Sequence, residues 1–218
     1  MAEPPRTSRE PTDDLWEALY SQRAIRYWKP TPVPREALER VVSAASKAPS
    51  GSNTQPWRFV VVDDRARVEA IAAALRSFAE GNEMLQSTLA EGEQAADKTT
   101  RLMLRGARKF FSQLERAPAL IVPCLHQLSS PTPDPTTLLA GSSIYMAVQN
   151  LMLAARGLGL GTLMTTAHVM IEPRLREILE MPEDAHPVAL IPIGYPDANF
   201  GPTRRKGTDE ILSFNTWG

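Results

Sequence analysis

The segment APSGSNTQPWRFVVV, residues 48–62, combines a polar turn with the start of a strand. Its second half is rich in β-branched residues, which predicts a buried strand. Its first half crowds hydroxyl and amide groups between Ser50 and Gln55, an arrangement suited to the polar edge of a planar heteroaromatic ligand. A helix C-cap followed by an ordinary turn, with Trp57 as a core anchor, explains the same residues. The two interpretations are compatible, and the segment predicts a strand entered through a polar loop.

Helices and strands alternate along the chain on both sides of this segment. Residue patterns predict helices at 14–22, 35–47, 66–80, 138–158 and 172–181, and strands at 58–64, 119–125 and 187–196. The charge-rich stretch 80–115 predicts helical segments that cover the core or form a lid. This alternation predicts one layered α/β or α+β domain over residues 14–218. The polar, proline-rich residues 1–13 are expected to be a disordered N-terminal tail.

Composition limits the classes of function. The chain of 218 residues has 24 basic and 25 acidic residues, and a formal net charge of −1 argues against nucleic acid or an anionic membrane as a partner. The single cysteine, Cys124, excludes an internal disulfide and is expected to be a small core residue in a strand. No apolar run approaches the roughly 18 residues of a transmembrane helix. We therefore expect a cytoplasmic protein without a membrane partner.

Common catalytic motifs are absent from the sequence. The three histidines, His126, His168 and His186, lack the close ligand spacing of zinc enzymes, so no metal site is expected. The sequences GSNTQ and GSSIY both depart from the G-x-S-x-G pattern of a nucleophile elbow. The sequence GLGLGT, residues 157–162, lacks the Gly-Lys-Ser/Thr ending of a phosphate loop. We interpret it as a helix end that leads into a strand through permissive glycines.

Two basic clusters lie near opposite ends of the chain. They are Arg23, Arg26 and Lys29 near one end, and Arg204, Arg205 and Lys206 near the other. Because guanidinium groups present forked donors that match phosphate oxygens, the two clusters together suit one phosphate group. A pair of solvated surface patches is the other interpretation, and composition alone favours it.

Four motifs, taken in order, resemble the FMN-dependent nitroreductase family. They are QRAIR at 22–26, APSGSNTQPWRFVVV at 48–62, VQNLMLAARGLGLGT at 148–162 and IGYP…RRKG at 193–207. The second is similar, nearly residue for residue, to the family's Pro-Ser-Gly-x-Asn-x-Gln-Pro-Trp motif. The resemblance runs from about Leu15 to the end of the chain. It implies an α+β fold with a central mixed or antiparallel sheet flanked by helices, and an intertwined homodimer with one FMN in each of two clefts at the subunit interface.

The resemblance also assigns residues of this chain to the FMN site. The implied cofactor-binding residues are Gln22, Arg23, Ala24, Arg26, Pro49, Ser50, Ser52, Asn53, Gln55, Leu163, Thr165, Thr166, Arg204 and Arg205. Among them, Arg23 and the backbone around Ala24 are expected at the ribityl phosphate. Arg204 or Arg205 would complete that phosphate site. Arg26 would lie nearer the pyrimidine edge of the flavin.

The remaining assignments concern the flavin ring. Residues 49–55 would line the ring from the partner subunit, and residues 163–166 would present backbone and hydroxyl groups beside flavin N5. The sequence also departs from the family pattern, because Gln22 and Ala24 stand where the family often has arginine and serine. Two side-chain contacts to the phosphate would therefore be missing.

The implied activity is that of an FMN-dependent oxidoreductase with a ping-pong mechanism. NADH or NADPH would reduce the flavin and leave, and a small electron-poor acceptor such as a nitroaromatic or a quinone would then take its place. Since the cofactor carries the chemistry, no side chain is expected to be catalytic in its own right. Two further readings stay open: another flavin reaction on this fold, either reductive dehalogenation or flavin fragmentation, and a non-catalytic flavin-binding protein.

Overall fold

The computed structural model describes residues 8–217, so the predicted disorder of residues 1–7 lies outside the described residues. A five-stranded sheet forms its centre, with strands β1 (Trp57–Val62), β2 (Ala119–Leu125), β3 (Gly161–Thr162), β4 (His186–Pro187) and β5 (Ile191–Gly194). Strand β2 pairs with β1, β4 and β5, and β3 pairs with the other edge of β5. All these pairings are antiparallel, which confirms the predicted α+β class with an antiparallel sheet.

Helices flank this sheet. The described α-helices are α1 (Leu15–Ser21), α2 (Arg35–Ala45), α3 (Arg65–Gly81), α4 (Glu83–Glu93), α5 (Lys98–Gln113), α6 (Gly141–Gly157), α7 (Glu172–Leu179) and α8 (Thr208–Ile211). The covering segments predicted at 80–115 are α4 and α5. Asn82 caps α4 by accepting a hydrogen bond from Leu85 N–H, and Asp97 caps α5 by accepting one from Thr100 N–H. Within residues 8–217, no helix has the length and apolar character needed to cross a bilayer.

The core has two large apolar clusters, which β2 separates, and a small third cluster of Leu125, Ala140 and Ile144. Leu120 and Val122 belong to the cluster that includes side chains of α3, α5 and α7, whereas Ala119 and Ile121 belong to the cluster of α2 and α6. Successive strand residues point to opposite faces of a sheet, so these alternating memberships place one cluster on each face. Every residue of β2 is buried, and each large apolar side chain there contributes about 1.5–3 kcal/mol of burial free energy. Strand β2 is therefore the centre of the core.

Cys124 is buried in β2, as its apolar neighbours predict. Burial raises the pKa of its thiol to about 12. Because the thiolate is the reactive form of cysteine, we expect the folded protein not to react with a thiol reagent at mildly alkaline pH. A colorimetric thiol titration with and without denaturant measures this, with full reaction expected only after unfolding. Rapid labelling of the folded protein would show that Cys124 is accessible.

The strand predicted at 187–196 is two short strands, β4 and β5, and the segment between them has one residue more than the part of β2 that it faces. The pairs Ile121–Ile191 and Cys124–Pro187 span three steps along β2 but four steps along its partner. This unequal count defines a β-bulge in the segment that joins β4 to β5. An apolar run of sequence carries no signal of such an insertion, which is why one continuous strand was predicted there.

Residues 8–13 differ from the predicted disordered tail. Thr12 N–H donates to the carbonyl of Gly157 at 3.0 Å, and Phe200 N–H donates to the carbonyl of Ser8 at 2.9 Å. Both partners are distant in sequence, so local composition gives no indication of them. Long-range backbone hydrogen bonds fix this segment along α6 and the C-terminal part of the chain.

The glycine-rich sequence 157–162 ends α6 and leads into β3, as predicted. Leu160 N–H donates to the carbonyl of Ala155 at 2.8 Å, which closes the helix end. Gly159 has a φ of +72°, a left-handed conformation that glycine adopts without a steric penalty. This segment is a helix terminus and not a phosphate loop.

Candidate functional site

A cavity of about 600 Å³ brings together the arginines of the two basic clusters from the opposite ends of the chain, whereas Lys29 and Lys206 lie outside its lining. We call it the cationic pocket. Its lining residues are Arg23, Ala24, Arg26, Lys98, Thr99, Leu102, Met103, Pro202, Thr203, Arg204 and Arg205. Five of these side chains are basic, and none of the described lining residues is acidic. The juxtaposition favours one anion site over two separate surface patches.

One wall of the pocket is the segment after α1, which carries Arg23 and Arg26, and a second wall is the C-terminal segment, which carries Arg204 and Arg205. Backbone hydrogen bonds hold these two walls in place. Thr203 N–H donates to the carbonyl of Tyr20 at 3.1 Å, which joins the C-terminal segment to α1. Ile25 N–H donates to the carbonyl of Thr162 at 2.9 Å, which joins the segment after α1 to β3. Ile25 is buried, whereas Arg23, two residues earlier, is exposed. The extended segment therefore directs the apolar side chain of Ile25 into the core and the charged side chain of Arg23 towards solvent. The arginines therefore stand on a fixed backbone.

The pocket concentrates positive charge that the described acidic side chains do not neutralise. Arg26 is half-buried, and burial followed by the nearby charge of Arg23 lowers the pKa of its guanidinium. Among the described side chains, no carboxylate forms an ion pair with Arg23, Arg26 or Arg204. Like charges held together without a counter-charge repel, and a bound anion relieves that repulsion. The pocket is therefore suited to an anionic ligand group.

Helix α5 supplies the third wall, which no sequence motif indicates. Lys98 and Thr99 stand in its first turn, where unpaired backbone N–H groups and the helix dipole favour negative charge. Asp97 followed by a helical pattern is a recognisable N-cap signal. Nothing in the sequence, however, connects that helix start to Arg23 or Arg204.

Gly106 of α5 lets the helix pass close to Arg26. A Cβ built at this glycine would lie 3.1 Å from Arg26 Cδ and 3.2 Å from Arg26 Nε. We expect Gly106→Ala to displace the Arg26 side chain and to weaken binding of a phosphorylated ligand by roughly two- to fivefold, about 0.5–1 kcal/mol. Glycine in a helix interior costs roughly 0.5–1 kcal/mol relative to alanine, so the free energy of unfolding is expected to stay level or rise.

Thermal unfolding and a ligand titration on the same preparation separate these two effects of Gly106→Ala. Gly81→Ala is the matched control, because its added Cβ would meet no heavy atom within 4 Å. Weaker binding in both variants, or in neither, would contradict the packing of Arg26 against Gly106.

The polar loop 49–55 has an unusual backbone. Ser52, Asn53 and Gln55 all have positive φ, at 50°, 54° and 50°. Asparagine tolerates this left-handed conformation, but serine and glutamine adopt it at a cost of about 1–3 kcal/mol each. Gln55 N–H donates to Ser50 Oγ at 3.0 Å, which helps to hold the loop. Strain of this kind clusters at ligand sites, and the side chains of residues 52–55 are exposed.

The structure does not bring loop 49–55 to the cationic pocket of the same chain. None of its residues lines that cavity. Gly51 N–H faces Ser143 Oγ at 3.4 Å, so the loop lies at the start of α6. Gln22 is likewise outside the pocket lining, because its amide faces Met152 Sδ at 3.7 Å. The predicted site residues thus fall into separate groups within one chain.

Residues 163–166 form a third group, held by the segment at the β-bulge. Thr165 and Leu190 exchange two backbone hydrogen bonds, at 3.0 and 2.8 Å. Leu163 is buried, Thr165 is half-buried and Thr166 is exposed. The Thr165 hydroxyl accepts a hydrogen bond from Ala167 N–H at 3.2 Å. The side chains of this group that solvent reaches are therefore those of residues 164–166.

Metal chemistry receives no support from the described residues. Within residues 8–217, no three His, Cys, Asp or Glu side chains come close enough to hold a metal ion. His126 pairs with Asp184 at 3.2 Å, and His168 is buried. Burial lowers the pKa of His168, so its imidazole is neutral at neutral pH.

Comparison with known proteins gives one consistent result. The family model described as "Nitroreductase family" matches residues 19–195. Mouse iodotyrosine deiodinase 1 is 30% identical over 213 residues, which cover 96% of this chain and 72% of that protein. A putative NADH dehydrogenase/NAD(P)H nitroreductase of Methanothermobacter thermautotrophicus is 28% identical over 207 residues, covering 94% of this chain and 88% of that protein.

A solved structure has the same fold. It is an FMN-dependent nitroreductase from Mycobacterium smegmatis in complex with NADPH, with a TM-score of 0.69 and 24% sequence identity. The superposition covers 93% of this chain and all of that chain. The arrangement of an antiparallel sheet between helices is therefore shared along almost the whole length of both chains.

Proposed function

The chain belongs to the nitroreductase family, and on that premise we propose that it is an FMN-dependent NAD(P)H oxidoreductase that reduces small electron-poor acceptors such as nitroaromatics and quinones. The observation that carries the proposal is the cationic pocket, with five basic side chains and no acidic one among its described lining residues. The FMN-dependent nitroreductase of the same fold, which was crystallised with NADPH, supports the choice of cofactor and donor.

The chemistry of the pocket fits the phosphate of FMN. Arginine binds phosphate through two parallel hydrogen bonds, and Arg23 and Arg204 stand on different walls of one cavity. Lys98 and the start of α5 add positive charge without a fixed geometry. The volume of about 600 Å³ lies within the roughly 300–1,000 Å³ range of small-molecule pockets.

Each group of residues has a distinct task in this proposal. Arg23, Arg204 and Arg205 hold the phosphate, and the half-buried Arg26 favours negative charge that develops on a ring bound beside it. FMN supplies the hydride chemistry when bound. Loop 49–55 offers hydroxyl and amide groups to the polar edge of the ring. No side chain in these groups is required as a nucleophile or general acid.

The separation of loop 49–55 from the cationic pocket supports a homodimer in which the two groups serve one ligand from different subunits. Exposed apolar side chains are consistent with an interface, because large exposed apolar groups mark association surfaces. Those around the start of α6 are Leu138, Leu139, Tyr145 and Met146. Light scattering is expected to give a mass near twice the chain mass of 24.0 kDa.

Reductive dehalogenation is the second candidate function. Mouse iodotyrosine deiodinase 1 is 30% identical along 96% of this chain, which favours this reaction over fragmentation of the flavin. Helix α5 lines the pocket and packs against α4, so these two helices are the elements expected to select between acceptors. Halide release from a halogenated phenol, measured without oxygen, distinguishes this candidate from nitroaromatic or quinone reduction.

An absorbance spectrum with anaerobic addition of NADPH, and separately NADH, tests the proposed function. We expect a flavin spectrum after incubation with FMN, loss of colour with at least one donor, and return of colour with a quinone or a nitroaromatic compound. A protein that binds FMN but reacts with neither donor would be a non-catalytic flavin-binding protein. A protein that binds no FMN would exclude the proposed function.

A further inference from the structure

Arg156 is fully buried near the end of α6, outside the cationic pocket. Its guanidinium is hydrogen-bonded on three sides. Nε donates to Ser21 Oγ, Nη1 donates to the carbonyl of Glu10, and Nη2 donates to Glu17 Oε1, each at 2.8 Å. Its planar face covers the ring of Phe200 at 4.3 Å. One side chain thus contacts the N-terminal segment, α1 and the C-terminal segment.

The partners of Arg156 lead directly into the two arginine-bearing walls of the pocket. Ser21 is the last residue of α1 and precedes Arg23 by two positions. Phe200 precedes Arg204 by four positions and is itself almost fully buried. The segments carrying Arg23 and Arg204 are therefore both anchored on Arg156, one by a hydrogen bond and the other by a cation–π contact.

The local network leaves α1 little freedom to rotate. The Ser21 hydroxyl donates to the carbonyl of Glu17 at 2.6 Å while it accepts from Arg156. Glu17 N–H is in turn bonded to the N-cap side chain of Asp14 at 2.8 Å. Burying a charged group is costly and often stabilises a protein no more than apolar packing would. The N–H groups of a guanidinium point in fixed directions. A buried arginine whose N–H groups are hydrogen-bonded to several elements therefore fixes the relative position of those elements.

We propose that Arg156 is a positioning residue, which sets the spacing between the Arg23 wall and the Arg204 wall of the cationic pocket and thereby its affinity for a phosphate group. The inference rests on the proposed function for the identity of the ligand, FMN. Arg156 is not among the residues that line the pocket, so it is not expected to contact the flavin ring. Its effect is therefore confined to recognition of the phosphate.

The test compares FMN with riboflavin, which has the same ring and no phosphate. In the full-length protein, Arg156→Met and Arg156→Lys are expected to weaken FMN binding on the order of tenfold, equivalent to about 1.4 kcal/mol. Riboflavin binding is expected to stay within about twofold. Fluorescence titration of the flavin-free protein gives both affinities. Equal losses for the two ligands, or no loss for either, would overturn the proposal.

Arg176→Met is the matched control. Arg176 also bonds one carboxylate and two backbone carbonyls, those of Glu172, Pro182 and Ala185, but it lies on α7 away from the pocket. Its loss is expected to lower the unfolding temperature without changing the ratio of the FMN and riboflavin affinities. If the ratio of the FMN and riboflavin affinities also changed in Arg176→Met, the change in the Arg156 variants would be an effect of lower stability, and the proposal would be wrong.

Two further measurements keep the inference testable. If the Arg156 variants fail to fold, the milder variants Ser21→Ala and Phe200→Leu must show the same selective loss of FMN affinity. Inorganic phosphate provides a readout without flavin, because a ligand that binds the folded state raises its unfolding temperature. We expect phosphate to raise that temperature in the wild type and to raise it less in Arg156→Lys. If phosphate stabilises both equally, Arg156 does not position the site; if the wild type binds phosphate but no flavin, only the proposed function fails.

Discussion

Replacing Arg23 and Arg204 together by alanine is expected to reduce FMN affinity by a factor on the order of 10²–10⁴. Hydrogen bonds to a charged group are worth about 1.5–3 kcal/mol each, and this variant removes one arginine from each wall of the pocket. No described carboxylate competes for either side chain, so little of their charge is already compensated. Riboflavin affinity is expected to change by no more than a few-fold, because neither arginine is assigned to the ring.

The control for this double variant has the same change in net charge at a different place. Arg65 and Arg174 are exposed and form ion pairs with Glu69 and Glu177 on their own helices. Surface pairs of this kind are worth about 0–1 kcal/mol, so replacing both arginines should leave FMN affinity unchanged. If the control variant loses as much affinity as the pocket variant, the effect is one of net charge. If the pocket variant keeps wild-type affinity, the phosphate site is elsewhere.

Gly194→Ala is expected to destabilise the protein by about 1–3 kcal/mol. A Cβ at this position in β5 would lie 2.5 Å from both Cγ and Cδ of Pro118 and 3.1 Å from Cδ1 of Trp28. A proline ring and a buried indole cannot turn aside as a flexible side chain would. Trp28 is further held by the hydrogen bond that its Nε1–H donates to the carbonyl of Gly161 at 3.1 Å. The backbone therefore has to shift.

Thermal and chemical denaturation measure this effect, with an expected fall in Tm of about 2–4 °C for each kcal/mol. Gly81→Ala again serves as the control, since an added methyl group there meets open space and is expected to raise stability slightly. A Gly194→Ala protein as stable as the wild type would mean that β5 and the Trp28 segment do not pack as closely as the structure has them.

Much of the fold was predictable because its signals are local. The β-branched run of β1 and the apolar run of β2 each predict a strand; β2 is found at the expected residues, and β1 begins one residue before and ends two residues before its predicted bounds. The residue pattern of 66–80 likewise predicts a helix, and α3 is found at Arg65–Gly81. The bulge between β4 and β5 and the order in residues 8–13 were not predictable, since both depend on partners far away in sequence.

The candidate site was predictable in part for the same reason. The arginine-rich clusters are visible in the sequence, and the structure brings Arg23, Arg26, Arg204 and Arg205 to one cavity. Lys98 was missed because its proximity to them follows from the packing of α5. The left-handed backbone of loop 49–55 was missed as well, because only Asn53 among its three positive-φ residues is of a type that favours this conformation.

Because of the bulge, the number of residues between β4 and β5 determines where residues 163–166 lie. Leu190 is hydrogen-bonded to Thr165, and Pro187 lies opposite Cys124. Both pairings are possible together because the connecting segment has one extra residue. Deleting a residue from that segment would restore a regular ladder with β2 and pull Thr165 out of alignment. Ala189 and Leu190 of that segment are also fully buried, so a substitution there has to keep the apolar character of these positions as well as the number of residues.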